Sequence, residues 1–100
     1  MKRAIVINAK DNAITALDDV EAGDTVAITS AYGAATQEIT AIKAIPFGHK
    51  LARQKIAKGT EVIKYGEVIG VATQDIEKGD HVHVHNVNSA RFGVTEKGEK

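Results

Sequence analysis

The motif Ile/Val-x-x-Gly-x-x-Val occurs three times in this chain, and it constrains the fold more than any other feature. The copies begin at Val20, Ile56 and Ile76. Each supplies a β-branched residue for the core, a glycine that tolerates positive φ at a turn, and a valine that begins a strand. Because the copies stand at unequal spacings, they do not form a solenoid, whose period is constant. They predict a compact, irregular β domain.

The remaining segments predict a mainly β fold with short helices. An apolar run at 5–7 predicts a first strand. Asp11 and Asn12 are typical helix-capping residues, and they stand before an apolar stretch at 13–17, which predicts a short helix there.

A hairpin is predicted in the next part of the chain. Residues 24–28 and 37–42 alternate as two strands should, and the pair at 32–33 is typical of a turn between them. Pro46 is the only proline, and it precedes a segment at 47–53 with the length of a short helical turn.

Length and charge limit the classes of function. One hundred residues correspond to a single domain, assigned to 1–92, and the Glu-, Lys- and Gly-rich end at 93–100 is predicted to be a disordered tail. Thirteen basic residues balance thirteen acidic ones, which argues against nucleic acid as a partner. Cysteine is absent, so thiolate zinc sites are excluded. No signal peptide or membrane span is recognised, and a cytoplasmic location is expected.

Three of the four histidines stand in one run that ends at Asn86. In a β-strand, strict alternation would place His81, His83 and His85 on one face, where they could hold a metal ion. Their spacing suits two imidazoles on one ion better than three, so a two-histidine site completed by carboxylates of a partner fits best. The alternative is a solvated histidine face on an edge strand.

Other polar clusters are weaker candidates. Gly48-His49-Lys50 combines a base and a cation for an anionic substrate, or it is an exposed helix start. Lys64 and Tyr65 offer a cation and a phenol to a carboxylate, or they form an ordinary turn. Asn86 either orients a substrate hydroxyl or caps a turn.

In combination, these residues resemble the SAF domain of the altronate/galactarate dehydratase family over about residues 5–90. The resemblance rests on Ile45-Pro46-x-Gly48-His49-Lys50-x-Ala52, Ile56-Ala57-x-Gly59, Val62-Ile63-Lys64-Tyr65-Gly66-Glu67-x-Ile69-Gly70, Asp75-Ile76-x-x-Gly79 and His81-Val82-His83-Val84-His85-Asn86.

The resemblance implies a β-clip fold and a much larger partner, fused in some members and separate in others. It implies a lyase that removes a proton α to a carboxylate and expels water from the β-carbon of a small anionic sugar acid. A divalent metal, Fe²⁺ or Mn²⁺, is implied as cofactor. The chain is thus expected to be the small subunit of an altronate dehydratase-like hydro-lyase, inactive alone, and homo-oligomers are possible.

The resemblance and the residues together identify three groups of site residues. Predicted catalytic residues are His49, His83 and His85; predicted substrate-binding residues are Lys50, Lys64, Tyr65 and Asn86; predicted metal ligands are His81, His83 and His85.

Two alternative functions stay open at this point. One is the α subunit of a (2R)-sulfolactate sulfo-lyase, which belongs to the same family and expels sulfite instead of water. The other is a non-catalytic SAF module that binds a ligand or a metal, because a fold alone does not determine function.

Overall fold

The computed structural model describes residues 1–30 and 35–89, and within these ranges all regular secondary structure is β. This confirms the prediction of a mainly β fold. The predicted turn at 32–33 and the predicted tail at 93–100 lie outside the described residues. The strands are β1 (Lys2–Val6), β2 (Ala13–Ala16), β3 (Thr25–Ser30), β4 (Ala35–Thr40), β5 (Lys50–Ala52), β6 (Glu61–Lys64), β7 (Glu67–Ala72), β8 (His81–Val82) and β9 (Val87–Ser89).

The strands form two sheets. The larger has the order β4-β3-β1-β2-β5-β8, and the smaller has the order β6-β7-β9. Only β1 and β3 pair in parallel, and every other named pair is antiparallel. The predicted hairpin is confirmed as β3 paired with β4, where Val26 and Ile28 alternate into the core.

The repeated motif forms four turns of one design, one more than the sequence pattern predicted. We call them the first (20–26), second (45–51), third (56–62) and fourth (76–82) turn units. The second unit escaped the pattern because it ends in Leu51 where the other three have valine. The units associate in pairs through antiparallel bridges, the first with the second and the third with the fourth. Each bridge consists of two backbone hydrogen bonds of 2.8–2.9 Å.

The same reciprocal hydrogen bonds anchor every turn unit. The glycine N–H donates to an alanine carbonyl, and the N–H of that alanine donates to the carbonyl of the residue after the glycine. Each of the four glycines has positive φ, between 83° and 95°, where a side chain would be strained. The glycine and alanine partners are Gly23 with Ala41, Gly48 with Ala16, Gly59 with Ala72, and Gly79 with Ala52.

Two apolar clusters form the core. The first lies within the larger sheet and contains Ile14, Ile28 and Leu51, all essentially inaccessible to solvent. The second contains Ile56 and Ile76, the bridge residues of the third and fourth turn units. Burial of each such side chain contributes about 1.5–3 kcal/mol, so the anchors of the turn units are also major sources of stability.

The prediction of short helices is wrong in both places. Residues 13–17 begin with β2, because Asp11 and Asn12 direct their side chains to other segments instead of capping a helix. Residues 47–53 form the second turn unit and β5, because pairing of β5 with β2 and β8 satisfies their backbone groups. No helix long enough to cross a membrane occurs among the described residues.

Candidate metal and anion site

The second and fourth turn units lie side by side and bring distant histidines together. In the pairing of β5 with β8, Lys50 lies opposite Val82 and Leu51 lies opposite His81. Further backbone hydrogen bonds join the two segments: the Ala52 N–H donates to the Asp80 carbonyl, and the Gly79 N–H donates to the Ala52 carbonyl, both at 2.9 Å. This register places His49, which precedes β5, beside the histidines of β8 and the segment after it.

His49, His81 and His83 form a compact group, which we call the histidine cluster. Nδ1 of His49 and Nε2 of His81 are 3.0 Å apart, so one ring nitrogen donates a hydrogen bond to the other. The His49 and His83 rings stack with centroids 4.7 Å apart, and those of His81 and His83 stack at 5.1 Å. All three side chains are partly exposed, so a ligand has access to them.

The predicted strand through the histidine run is much shorter than expected. β8 ends at Val82, and residues 83–86 form a turn in which Asn86 N–H donates to the His83 carbonyl at 3.1 Å. The amide of Asn86 holds this turn, accepting from His83 N–H at 2.9 Å and donating to the His81 carbonyl at 2.8 Å. Asn86 is 2% exposed, which matches the turn-capping alternative. A substrate contact of Asn86 stays a prediction.

The turn changes the expected set of metal ligands. One nitrogen from each of His49, His81 and His83 lies within 4.8 Å of the others, whereas His85 is not in this group. The His85 ring lies 5.6 Å from that of His81 and is tilted by 47°. His49 had been predicted only as a catalytic residue, since spacing along the chain reveals nothing about a residue that tertiary pairing supplies.

The environment favours the neutral imidazole of His81 and of His83. Burial lowers the pKa of His81, and the neighbouring rings of His49, His83 and His85 lower it further. Burial and His49 also lower the pKa of His83, and the Lys50 ammonium acts in the same direction. Neutral imidazole is the form that binds a metal ion or accepts a proton.

A cavity of about 340 Å³ adjoins the cluster at His83. Lys50 and Lys64 line it, and no acidic side chain is among the described residues that do so. Burial lowers the pKa of Lys50, and the charge of Lys64 adds to this effect. The cavity is therefore electropositive, and the rest of its wall is largely apolar, formed by Ile69, Val84 and Val87.

Tyr65 stands at the tip of the β6–β7 hairpin, next to Lys64 of the cavity wall. It has φ of 58°, the only positive φ of a non-glycine residue in the described chain, which costs about 1 kcal/mol. The Lys64 ammonium lies 4.3 Å from its ring centroid. Its hydroxyl lies 3.5 Å from that of Thr15, and this contact is the main cause of its lowered pKa. The structure thus brings Lys50, Lys64 and Tyr65 to one side of the cluster.

Asp11 and Asn12 position this hairpin, a role that the sequence did not reveal. Asp11 is 3% exposed, and its carboxylate accepts the N–H of Gly66 at 2.7 Å and that of Asn8 at 3.0 Å. Asn12 accepts from Ile63 N–H at 2.7 Å and donates to the Glu61 carbonyl. The available signal in the sequence was a pair of adjacent polar residues before an apolar stretch. It could not show the partners of Asn12, which lie about fifty residues away along the chain.

Comparison with known proteins points to one family. The profile of the altronate/galactarate dehydratase SAF domain matches residues 2–90. Altronate dehydratase of Bacillus subtilis is 40% identical over 89 residues, which are 89% of this chain and 17% of that protein. Altronate dehydratase of Escherichia coli is 42% identical over 85 residues, 85% of this chain and 16% of that protein. The chain therefore spans about a sixth of the length of these two relatives.

A third relative has a length close to that of this chain. The (2R)-sulfolactate sulfo-lyase subunit alpha of Chromohalobacter salexigens is 38% identical over 89 residues, which are 87% of this chain and 95% of that protein. The matching region is thus a small part of the two long altronate dehydratases and nearly the whole of the separate sulfo-lyase subunit.

Proposed function

Because this chain belongs to the altronate/galactarate dehydratase SAF-domain family, we propose that it forms one wall of the active site of a sugar-acid dehydratase-type lyase. In this proposal the chain acts as a small subunit and a larger chain completes the enzyme. The observation that carries the proposal is that His83 belongs both to the histidine cluster and to the lining of the electropositive cavity.

The histidine cluster fits a divalent metal in its donor chemistry. Nitrogens bound to one ion at about 2.1 Å lie about 3–4.2 Å from one another, and the three ring nitrogens lie within 4.8 Å. His49, His81 and His83 are therefore the residues that would hold the ion. A bound Fe²⁺ or Mn²⁺ would supply Lewis-acid stabilisation of negative charge on the substrate. The identity of the metal is part of the proposal.

The protein's own groups have separable roles in this proposal. Lys50 and Lys64 hold the substrate carboxylate in the cavity, since an ammonium pairs favourably with a carboxylate in a partly dry site. His83 lies beside them and acts either as a ligand of the ion or as the base. In the second role its neutral imidazole takes the proton α to the carboxylate, and the imidazolium so formed gives that proton to the hydroxyl that leaves the β-carbon as water. Tyr65, whose ring lies against the Lys64 ammonium, contributes a hydroxyl to the substrate.

A larger partner is proposed because the described residues form an open surface. The cavity opens to solvent, and Val84 in its lining is 81% exposed. Small-molecule sites normally bury most of their ligand, which a single exposed wall does not achieve. The long altronate dehydratases, of which this chain spans about a sixth, contain ample chain to form the other wall.

A second candidate is the α subunit of a sulfolactate sulfo-lyase. Its support is the relative of nearly equal length, of which this chain covers 95%. In that case the same proton abstraction would be followed by loss of sulfite instead of water.

Reconstitution with the larger chain tests both candidates. The full chain is co-expressed with a dehydratase-type large chain from the same genome, with iron supplied. Formation of a 2-keto-3-deoxy acid from altronate and release of sulfite from sulfolactate are then measured. We expect one product, formed only when both chains are present. His83→Ala should lower kcat by about 100-fold or more.

Asp24→Ala is the matched control for His49→Ala, because both residues follow the glycine of a turn unit. The control should retain turnover, whereas His49→Ala should lose most of it. Full turnover by the large chain alone, or by both histidine variants, would leave this chain a non-catalytic binding module.

A further inference from the structure

Lys50 and Lys64 are two of the three half-buried lysines in the described part of the chain, and the third, Lys2, has an ion pair. No carboxylate of a described residue lies within ion-pair distance of Lys50 or Lys64. Four other basic side chains of the described residues have acidic partners at 3.1–3.7 Å. These pairs are Lys2 with Asp24, Arg3 with Asp18, Lys43 with Asp80, and Lys55 with Glu77.

Both lysines line the same cavity, and neither has a carboxylate partner among the described residues, although Lys64 lies over the Tyr65 ring. Half-buried cations without partners are costly, and the cost rises when two share one site. An anion between the lysines would lower this cost, and two charges on the ligand would lower it more than one.

The wall of the cavity also limits the kind of anion. Besides the lysines and His83, Ser89 is its only other polar lining residue in the described part of the chain. The remaining wall is formed by Ile69, Val84 and Val87. This lining provides few partners for the hydroxyls of a long polyol, so it favours a short carbon chain.

We propose that this cavity selects short 2-hydroxy acids with two negative charges over singly charged acids of the same skeleton. The proposal rests on the proposed function in one respect, since it takes the cavity to be the substrate site. Altronate has one carboxylate, whereas sulfolactate has a carboxylate and a sulfonate. The charge balance of the cavity therefore favours a substrate of the second kind.

Matched pairs of acids test this selectivity directly on the full, metal-free chain. Sulfolactate is compared with lactate, malate with 2-hydroxybutyrate, and galactarate with galactonate, by calorimetry and by amide chemical shifts at low ionic strength. Within each pair the skeletons are alike and only the second acidic group differs. We expect the doubly charged member to bind about tenfold more tightly. We also expect sulfolactate and malate to bind more tightly than galactarate.

Lysine variants locate the effect. Lys50→Met and Lys64→Met keep most of the side-chain volume, and each should reduce the preference within a pair to about twofold. Lys58→Met, in the exposed tip of the third turn unit, is the control and should keep the full preference. Thermal unfolding of each variant verifies that it is folded.

Three results would overturn the proposal: equal affinity within the pairs, no binding of any acid at about 20 mM, or equally tight binding of sulfate. Sulfate has two charges but no 2-hydroxy acid skeleton, so equal affinity would mean a general anion patch. The outcome is independent of turnover. Selective binding without product in the reconstituted enzyme would refute the proposed function alone, and turnover without charge preference would refute this inference alone.

Discussion

The first and second turn units have the same backbone and different chemistry. In both, the glycine N–H and the carbonyl of the following residue bond to an alanine, and their bridge residues Val20 and Ile45 bond to each other. After the glycine, the first unit has Asp24, which accepts the N–H of Glu21 at 2.9 Å within its own turn. The second has His49, whose ring reaches the fourth unit.

This difference indicates that folding and chemistry are encoded at separate positions of the turn unit. The anchors and glycines recur in all four units, whereas the residue after the glycine varies among Asp24, His49, Thr60 and Asp80. Substitutions at the recurring positions should change stability, and substitution at the variable position should change ligand binding in the second unit, where that residue is His49. The following predictions test that separation, from the largest effect to the smallest.

Two glycines with nearly identical φ should respond very differently to alanine. A Cβ on Gly79 would lie 2.2 Å from the Thr40 carbonyl oxygen, whereas a Cβ on Gly59 would have no atom within 4 Å. Gly59→Ala should cost about 1 kcal/mol from backbone strain alone. Gly79→Ala should cost about 3 kcal/mol or more, because the clash with backbone is added. Urea unfolding measures both, and equal losses would contradict the close contact of the fourth unit with β4.

Metal binding should depend on the second unit but not on the first. Saturation with Fe²⁺ or Mn²⁺ at about 100 times Kd should stabilise the folded chain by about 2.7 kcal/mol. His49→Ala should abolish most of this gain, and Asp24→Ala should keep it, since only His49 belongs to the histidine cluster. The measurement is the shift of Tm on metal addition and its reversal by a chelator. A wild-type chain with no shift would remove the metal from the proposal.

Two aspartates cap turn units in the same way, one the second unit, which carries His49, and the other the third unit, which carries no residue of the histidine cluster. Asp19 accepts the N–H of Phe47 in the second unit, and Asp75 accepts that of Lys58 in the third, both at 2.8 Å. Replacement of either aspartate by alanine should cost about 1 kcal/mol in urea unfolding. Only Asp19→Ala should also weaken metal binding, because the second unit presents His49. Weakened binding in both variants would show that the units are not independent.

The smallest effect concerns the pH dependence of the metal-free chain. The lowered pKa of His81 comes first from burial and then from His49, His83 and His85, while Asp80 opposes them. A proton therefore binds the folded chain less readily than the unfolded chain, so this stability is present above the ordinary histidine pKa and is lost as pH falls through the lowered value.

Unfolding at about pH 7.5 and about pH 5 measures this loss. His81→Gln should show a smaller drop between the two pH values than the wild-type chain. An identical drop would mean that other groups cause the dependence. His83, whose pKa is lowered by the same kinds of neighbour, provides a second variant for comparison.

Much of this architecture could be predicted from the sequence, but the short helices could not be excluded. Asp11 and Asn12 have the composition of a helix cap, and only their contacts with Gly66 and Ile63 show that they bind another part of the chain. The second turn unit was missed because its final anchor is leucine. These local patterns are compatible with a short helix and with a turn followed by a strand, and long-range strand pairing decides which one forms.

The sequence proposed residues for the candidate site, but it did not predict which of them lie close together. It proposed His49, Lys50, Lys64, Tyr65 and the histidine run as candidates, and their roles stay predictions. It assigned the metal site to His81, His83 and His85 because it extended β8 too far. The turn that Asn86 caps ends the strand, and His49 replaces His85 in the group.

The sequence by itself determined the family, the mainly β fold and the turn design, because glycines at positive φ and β-branched anchors act through local backbone conformation and burial. Only the tertiary structure decided which histidines meet and that Lys50 and Lys64 line one cavity. These contacts depend on the register of β5 against β8 and on the placement of the β6–β7 hairpin. Both join residues far apart in the chain, where sequence spacing has no information about distance.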